Sequence, residues 1–293
     1  GGLTGTGAPV HPGPLAGADT VYFLSDYGLA DEFVGVVHAV LRRLAPGVAI
    51  VDLVHQIPPY DVRAGAAALV RAMPHLGPGV VLAVVDPGVG GPRRGVVLET
   101  DGPERRWFVG PDNGLLLAAA DRAGGIRRAV VLEPPDGRPA REDGVDAAGP
   151  ATFDGRDVFA PAAAALCTGT GLDALGGPVD GRELARVPEP VVEIGSVGDG
   201  RRLVRAEVTW IDRFGNAQLG APGATVPASV PVVAVAAGIR ALSARRVRTF
   251  ADLDPDEVGL LCDGNGQLAL VVREGSAADR LALAPGDLVE LVW

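Results

Sequence analysis

The chain contains no lysine; all 26 of its basic residues are arginine. That absence excludes Schiff-base chemistry, the lysine of phosphate-binding loops and lysine general bases. Cysteine is scarce, with two in 293 residues: Cys167 in an alanine-rich helical stretch and Cys262 at the end of an apolar run. Both are expected to be buried core thiols rather than a disulfide or a nucleophile, which points to a cytoplasmic setting. No apolar run is long enough to cross a bilayer, and no basic cluster relieves the net charge of -10. Neither a membrane span nor a nucleic-acid partner is therefore expected. Residues 1–19 lack the charged start and apolar centre of a signal peptide and read as a disordered tail.

What is present is material for a core. Hydrophobic residues make up 47% of the chain, enough for one large domain or two ordinary ones. Val21–Ser25, Val48–Val54 and Val80–Val85 are short apolar runs suited to strands buried on both faces, and Glu32–Leu44 and Val62–Met73 place apolar residues at helical spacing between them. The pattern predicts an α/β domain over 20–180, built from βαβ units with a mostly parallel sheet flanked by helices. Residues 181–200, crowded with Gly, Pro and charge, read as a linker. Residues 201–293 read as a smaller, antiparallel, barrel-like β-domain. In it, Arg202–Ile211 and Ala217–Leu219 flank an Asp212-Arg213-Phe214-Gly215-Asn216 turn, while Gly259–Cys262 and Gln267–Val272 flank an Asn265-Gly266 hairpin signal.

In such sheets ligands bind at the carboxyl ends of the strands, and Asp26 and Asp86 each end a strand just before a glycine-bearing loop. Both acids are expected in one crevice. The dinucleotide fingerprint is missing after the first strand, where Asp26-Tyr27-Gly28-Leu29-Ala30-Asp31 stands, so a pyrophosphate cradle is not expected. A carboxylate there suits two neighbouring hydroxyls, one for each oxygen. The alternative is that Asp26 caps the following helix, for which Asp31 is better placed. Asp86 and Arg93 lie seven residues apart across a glycine loop; the carboxylate can orient or deprotonate water while the guanidinium holds it. Arg94 competes for the arginine role, and a plain turn acid beside a surface arginine is the alternative. Asp157 fits a helix N-cap ahead of Val158–Leu166.

Six segments occur in order: Phe23-Leu24-Ser25-Asp26-Tyr27-Gly28, His55-Gln56-Ile57-Pro58-Pro59-Tyr60-Asp61-Val62, Val85-Asp86-Pro87-Gly88-Val89-Gly90, Val109 to Leu116, Thr152-Phe153-Asp154-Gly155-Arg156-Asp157, and Ile211 to Asn216. Together they resemble the S-adenosylmethionine hydroxide adenosyltransferases, relatives of the fluorinase and chlorinase enzymes, from about residue 20 to the C-terminus. The resemblance implies hydrolysis of S-adenosyl-L-methionine to adenosine and L-methionine by water or hydroxide at C5′, with no metal and no cofactor. It also implies a homotrimer whose sites form between the N-domain of one subunit and the C-domain of the next.

For individual residues the resemblance implies Asp26 on the ribose hydroxyls, Asp86 and Arg93 at the nucleophile, and Tyr60 and Phe153 lining the pocket. Asp212 corresponds to a contact for the methionine amine, Phe214 to an adenine-stacking ring and Asn216 to an adenine partner, with Val272 and Glu274 as further substrate contacts. In isolation, Asp212 and Asn216 read as groups serving their own turn. Gly155 stands where the fluorinase has a halide-contacting serine, so water is the expected nucleophile. Asp154 stands where the family has histidine, and none of the chain's histidines, His11, His38, His55 and His75, lies near it. If Asp154 lies beside Asp86, two carboxylates share one arginine and the pair can serve as a base in place of the imidazole. Two other functions fit the residues: a divalent-metal phosphohydrolase using Asp26, Asp86, Asp154 and Asp157, and a non-catalytic adenosyl-ligand binding protein.

Overall fold

The computed structural model describes residues 17–133 and 152–293, so residues 1–16 of the tail expected at 1–19 lie outside the described residues. The chain divides into two compact units, Gly1–Val187 and Pro188–Trp293.

In the first unit the expected βαβαβ order appears as β1 (Thr20–Ser25), α1 (Phe33–Leu44), β2 (Ala49–Val54), α2 (Val62–Ala72) and β3 (Gly79–Val84). It continues through β4 (Gly95–Thr100), β5 (Arg106–Pro111), α3 (Leu117–Arg122), β6 (Ile126–Leu132), α4 (Ala160–Cys167) and β7 (Gly176–Pro178). The sheet order is β2-β1-β3-β5-β4-β6-β7. The first four strands are parallel, and β4, β6 and β7 extend the sheet antiparallel. Side chains of a strand alternate between faces, which sorts β3 cleanly. Val80, Leu82 and Val84 join a cluster with Val37 and Leu41 of α1 and the alanines of α4. Val81 and Ala83 join Leu69 of α2 and Leu117 of α3 on the other face. A strand covered by helices on both sides needs an unbroken apolar run, which is what Val80–Val85 supplies. The run at Val48–Val54 differs. Its strand, β2, pairs with β1 alone and forms the sheet edge, so Val51 is 42% exposed where burial on both faces was expected.

The second unit comprises β8 (Val192–Ser196), β9 (Arg202–Ile211), β10 (Ala217–Pro222), β11 (Val232–Ala237), β12 (Arg240–Arg246), β13 (Val258–Cys262), β14 (Gln267–Val272), α5 (Ala277–Leu281) and β15 (Leu288–Val292). Strands β10-β14-β13-β12-β11-β15-β9 close into a seven-stranded barrel through the β9–β10 pairing, with β8 flanking β9. All of these pairings are antiparallel except β12–β13. Val204, Ala206, Val208, Val289 and Leu291 fill its interior. The hairpin at Asn265-Gly266 forms as its sequence demands: Asp263 Oδ1 accepts from the amides of Asn265 and Gln267, and Gly266 takes φ +79°. The stretch 181–200, read as a linker, carries a 3-10 turn at Gly181–Glu183 and strand β8.

The thiols depart from expectation. Cys167 is half-buried, and Cys262, at the end of β13, is exposed. Burial, reinforced by the negative charge of Asp19, pushes the Cys167 thiol up to about 11, leaving it protonated and unreactive at neutral pH. Iodoacetamide at pH 7.5 is therefore expected to label Cys262 in the native protein and Cys167 only after unfolding, read by peptide mass spectrometry. Equal labelling rates would contradict this placement.

Candidate active site

Strand β2 lies on one side of β1 and β3 on the other, so the chain changes winding direction between β1 and β3 and opens a crevice at their carboxyl ends. Asp26 follows β1 directly, and Asp86 follows β3 with Val85 between. Several contacts fix the Asp26 loop. Gly28, at φ +70°, donates its amide to His55 O at 2.7 Å. The amide of Tyr60 donates to Asp26 Oδ2 at 2.8 Å. Tyr60 itself sits at φ +69°, a region that L side chains rarely enter. Asp61 holds it there by capping α2, its Oδ1 accepting from the Ala64 amide at 2.8 Å. Asp26 Oδ1 accepts no hydrogen bond among the described residues, so that oxygen is free for a ligand. Neither Asp26 nor Asp31 caps α1, whose N-cap is Glu32 with no side-chain bond.

Arg93 joins the remaining acids. Its Nε donates to both oxygens of Asp86 at 2.9 and 3.0 Å, and its Nη2 bonds Asp86 Oδ2 and reaches Asp154 Oδ2 at 2.5 Å. Burial works against the guanidinium's charge, but the bonds and charges of Asp86 and Asp154 outweigh it and hold the group above its usual range. The Arg93 side chain is also packed 5.2 Å from the Phe159 ring and lies across Gly88, where a Cβ would come 3.0 Å from Arg93 Cγ. Of the two adjacent arginines, Arg93 is the one that meets Asp86. Arg94 turns away to Asp112, and Asp112 Oδ1 also accepts the Ala185 amide. Asn113 anchors the end of β3 by donating to Val85 O at 2.8 Å. The Gly-Pro-Asp-Asn segment thus supports the floor of the crevice.

Asp154 precedes a π-helical turn, Gly155–Phe159, that leads into α4, a distortion that re-aims side chains at a helix start. Asp157 falls inside that turn and pairs with Arg156 at 2.6 Å instead of capping the helix; the expectation of a helix starting at Val158 missed the extra turn. Phe153 forms a trio of rings with Tyr27 and Phe33, at centroid separations of 5.5 and 5.4 Å.

Tyr27 is the residue that sequence reasoning passed over, although it stands inside a segment quoted for the resemblance. Its hydroxyl reaches Gly155, where an added Cβ would lie 2.0 Å from it. Burial, then the charges of Asp26, Asp86 and Asp154, push that hydroxyl well above its usual range, so it stays protonated. Arg93 opposes that rise, so Asp26 and the members of the Asp86–Arg93–Asp154 cluster all act on the charge of one phenol.

The second unit brings together Phe214, Asn216, Val272 and Glu274, which line a cavity of about 770 Å³ with Phe250, Arg273 and Ser276. Phe214 is 71% exposed. Asp212 stands behind this wall: its Oδ1 accepts from the amides of Phe214 and Asn216 and its Oδ2 from the Asn216 side chain, at 2.8–3.0 Å. The turn that these bonds build sets Phe214 outward.

Residues 21–176 match the family described as SAM hydroxide adenosyltransferase N-terminal domain, and residues 206–290 match the corresponding C-terminal domain. An (R)-S-adenosyl-L-methionine hydrolase of Salinispora tropica is 44% identical, over 93% of this chain and 97% of that protein. One from Thermus thermophilus is also 44% identical, over 93% and 99% respectively. Among solved structures, a conserved protein of Thermotoga maritima superposes with a TM-score of 0.79 at 32% identity, covering 93% of this chain and all of that one.

Replacing Arg93 with Met strands two carboxylates without their shared cation, with an expected loss of about 3–5 kcal/mol in urea unfolding. A loss under about 1 kcal/mol would mean the bridge is not formed in solution. Gly155→Ser forces a side chain against the Tyr27 hydroxyl and is expected to cost about 1–3 kcal/mol by the same measurement.

Proposed function

As the chain belongs to the SAM hydroxide adenosyltransferase family, we propose that it hydrolyses S-adenosyl-L-methionine to adenosine and L-methionine by attack of water at C5′. The sulfonium is a ready leaving group, so the protein must chiefly fix the ribose, align the water and exclude its competitors. A bond forms from the water oxygen to C5′ as the bond from C5′ to sulfur breaks. Sulfur keeps the electron pair as the thioether of methionine, and the water proton passes to a carboxylate.

The observation that carries this reading is the shared guanidinium beside Asp26. Both oxygens of Asp86 are engaged by Arg93, whereas Asp154 gives Arg93 its Oδ2. Asp154 Oδ1 accepts no hydrogen bond among the described residues. It is the open acceptor of the cluster and takes the water proton, in the place where the family carries histidine. Arg93 holds both acids in position, and the Tyr27 hydroxyl, kept protonated, lies in the field of the same carboxylates. Asp26 receives the ribose hydroxyls, with Tyr60 and Phe153 flanking the nucleoside.

In the second unit Phe214 offers a free aromatic face to adenine and Asn216 a carboxamide to its edge, with Val272 and Glu274 completing the wall. Asp212 has spent three of its roughly four acceptor positions on the turn and offers the remaining one to the methionine ammonium. The working form is a homotrimer in the cytoplasm; sedimentation velocity on the active protein tests the trimer, and a monomer at full activity refutes it.

Chromatography of the products after incubation with S-adenosylmethionine is expected to show adenosine and methionine in equal amounts. Release of phosphate from phosphate esters, with S-adenosylmethionine untouched, would instead indicate a phosphohydrolase. Asp26→Ala is expected to weaken adenosine binding at least ~30-fold in calorimetry, since a charge-assisted pair of bonds worth about 2 kcal/mol is lost. Asp86→Asn is expected to slow turnover while leaving adenosine affinity within a few fold. Equal loss of both would place Asp86 on the substrate rather than on the water.

A further inference from the structure

The parallel register of β1 and β2 sets Phe23 opposite Asp52, and α1 packs over that face of the sheet. Three metal-ligating side chains meet there that the reaction does not use: His38 from α1, Asp52 from β2 and His55 from the residue after β2. His38 Nε2 lies 2.8 Å and His55 Nε2 2.9 Å from the same oxygen, Asp52 Oδ1. The two contacts are not equivalent. His38 is aligned for a hydrogen bond, whereas buried His55 Nε2 has no aligned partner despite its distance. A buried ring nitrogen held at ion-pair distance but off the hydrogen-bond axis is only partly satisfied by the carboxylate.

We propose that His38 Nε2, Asp52 Oδ1 and His55 Nε2 bind a divalent transition-metal ion of the zinc class. Two imidazoles and one carboxylate suit such an ion, with a fourth position left to water. The candidate ligand atoms all lie within 4.8 Å of one another. Tetrahedral bonds of 2.0–2.1 Å put ligand atoms about 3.3 Å apart, so the ion needs both nitrogens to retreat from Asp52 by about half an ångström. Partly exposed His38 and Asp52 give it access from solvent.

The surrounding contacts are those a bound ion requires. The remaining nitrogen of His55, Nδ1, meets the buried Ser25 Oγ at 2.8 Å. With Nε2 on the metal, Nδ1 carries the proton and donates to Ser25, which fixes the tautomer and the ring plane. The Phe23 ring packs against both imidazoles, at 6.1 and 4.5 Å between centroids, and limits their rotation. The site also bears on the neighbouring crevice, because the backbone of His55 holds Gly28 and its side chain holds Ser25, on either side of Asp26. The ion would stiffen the loop that presents Asp26 without touching the substrate.

The test uses the untagged full chain, stripped of metal and titrated with cobalt(II) chloride, with zinc chloride as competitor. Expected are saturation at one equivalent, the intense visible absorption of four-coordinate cobalt, its displacement by zinc, and a zinc-dependent rise in melting temperature. His38→Ala sits at a half-exposed position on α1 and keeps the fold intact by circular dichroism; it is expected to weaken cobalt binding at least about tenfold. Asp52→Asn is expected to do the same. Absence of saturable binding overturns the proposal, as does binding of undiminished affinity in both variants.

Discussion

One guanidinium bridging two carboxylates organises the candidate active site. Asp86 arrives from the end of β3 and Asp154 from a helix start more than sixty residues later, and each would repel the other without Arg93 between them. Because all three side chains are largely buried, the attraction is little screened and the bridge pins loop to helix. Much of the local architecture serves this arrangement. Gly88 lets the arginine cross its own loop, Phe159 backs its flat face, and Asp112 draws the neighbouring Arg94 away so that the two guanidinium groups do not compete. The energy of such a bridge is poor value for stability against an apolar substitute, which fits a cluster kept for its charge distribution.

The legible part of the fold followed periodicity. Unbroken apolar runs between amphipathic helices announced the parallel half of the first sheet, and turn chemistry announced the hairpins of the barrel. What escaped notice depended on partners far away in sequence. Nothing in Val48–Val54 distinguishes an edge strand from an inner one, since edge status follows from which strands fail to pair with it. The antiparallel extension by β4, β6 and β7 is likewise a matter of long-range pairing. The π turn at Gly155–Phe159 inserts one residue into a helix whose composition looks ordinary, and so displaced Asp157 from the cap it was assigned.

The site was legible to a similar degree and for related reasons. Acids at strand ends beside glycines pointed to the crevice, and the order of the motifs pointed to the family. Sequence could not tell which of Arg93 and Arg94 meets Asp86, because adjacent residues on a loop can turn in opposite directions; their side-chain partners follow from where Asp112 and Asp154 lie. Tyr27 went unassigned because a tyrosine after a strand is ordinary until its hydroxyl is seen against Gly155. The Asp212 turn shows the converse: a bland reading and a ligand role need not exclude each other, since the same carboxylate that builds the turn also determines where Phe214 points.

The contact between the Tyr27 hydroxyl and the Gly155 backbone also bears on how this chain could change over generations. A side chain at 155 is incompatible with the phenol above it, so a lineage that acquires the residue at 155 first passes through a strained intermediate. One that first trades Tyr27 for a smaller side chain leaves a void, which a later substitution at 155 can fill. The order of substitutions is therefore constrained, and two positions 128 residues apart in the chain must be expected to vary together.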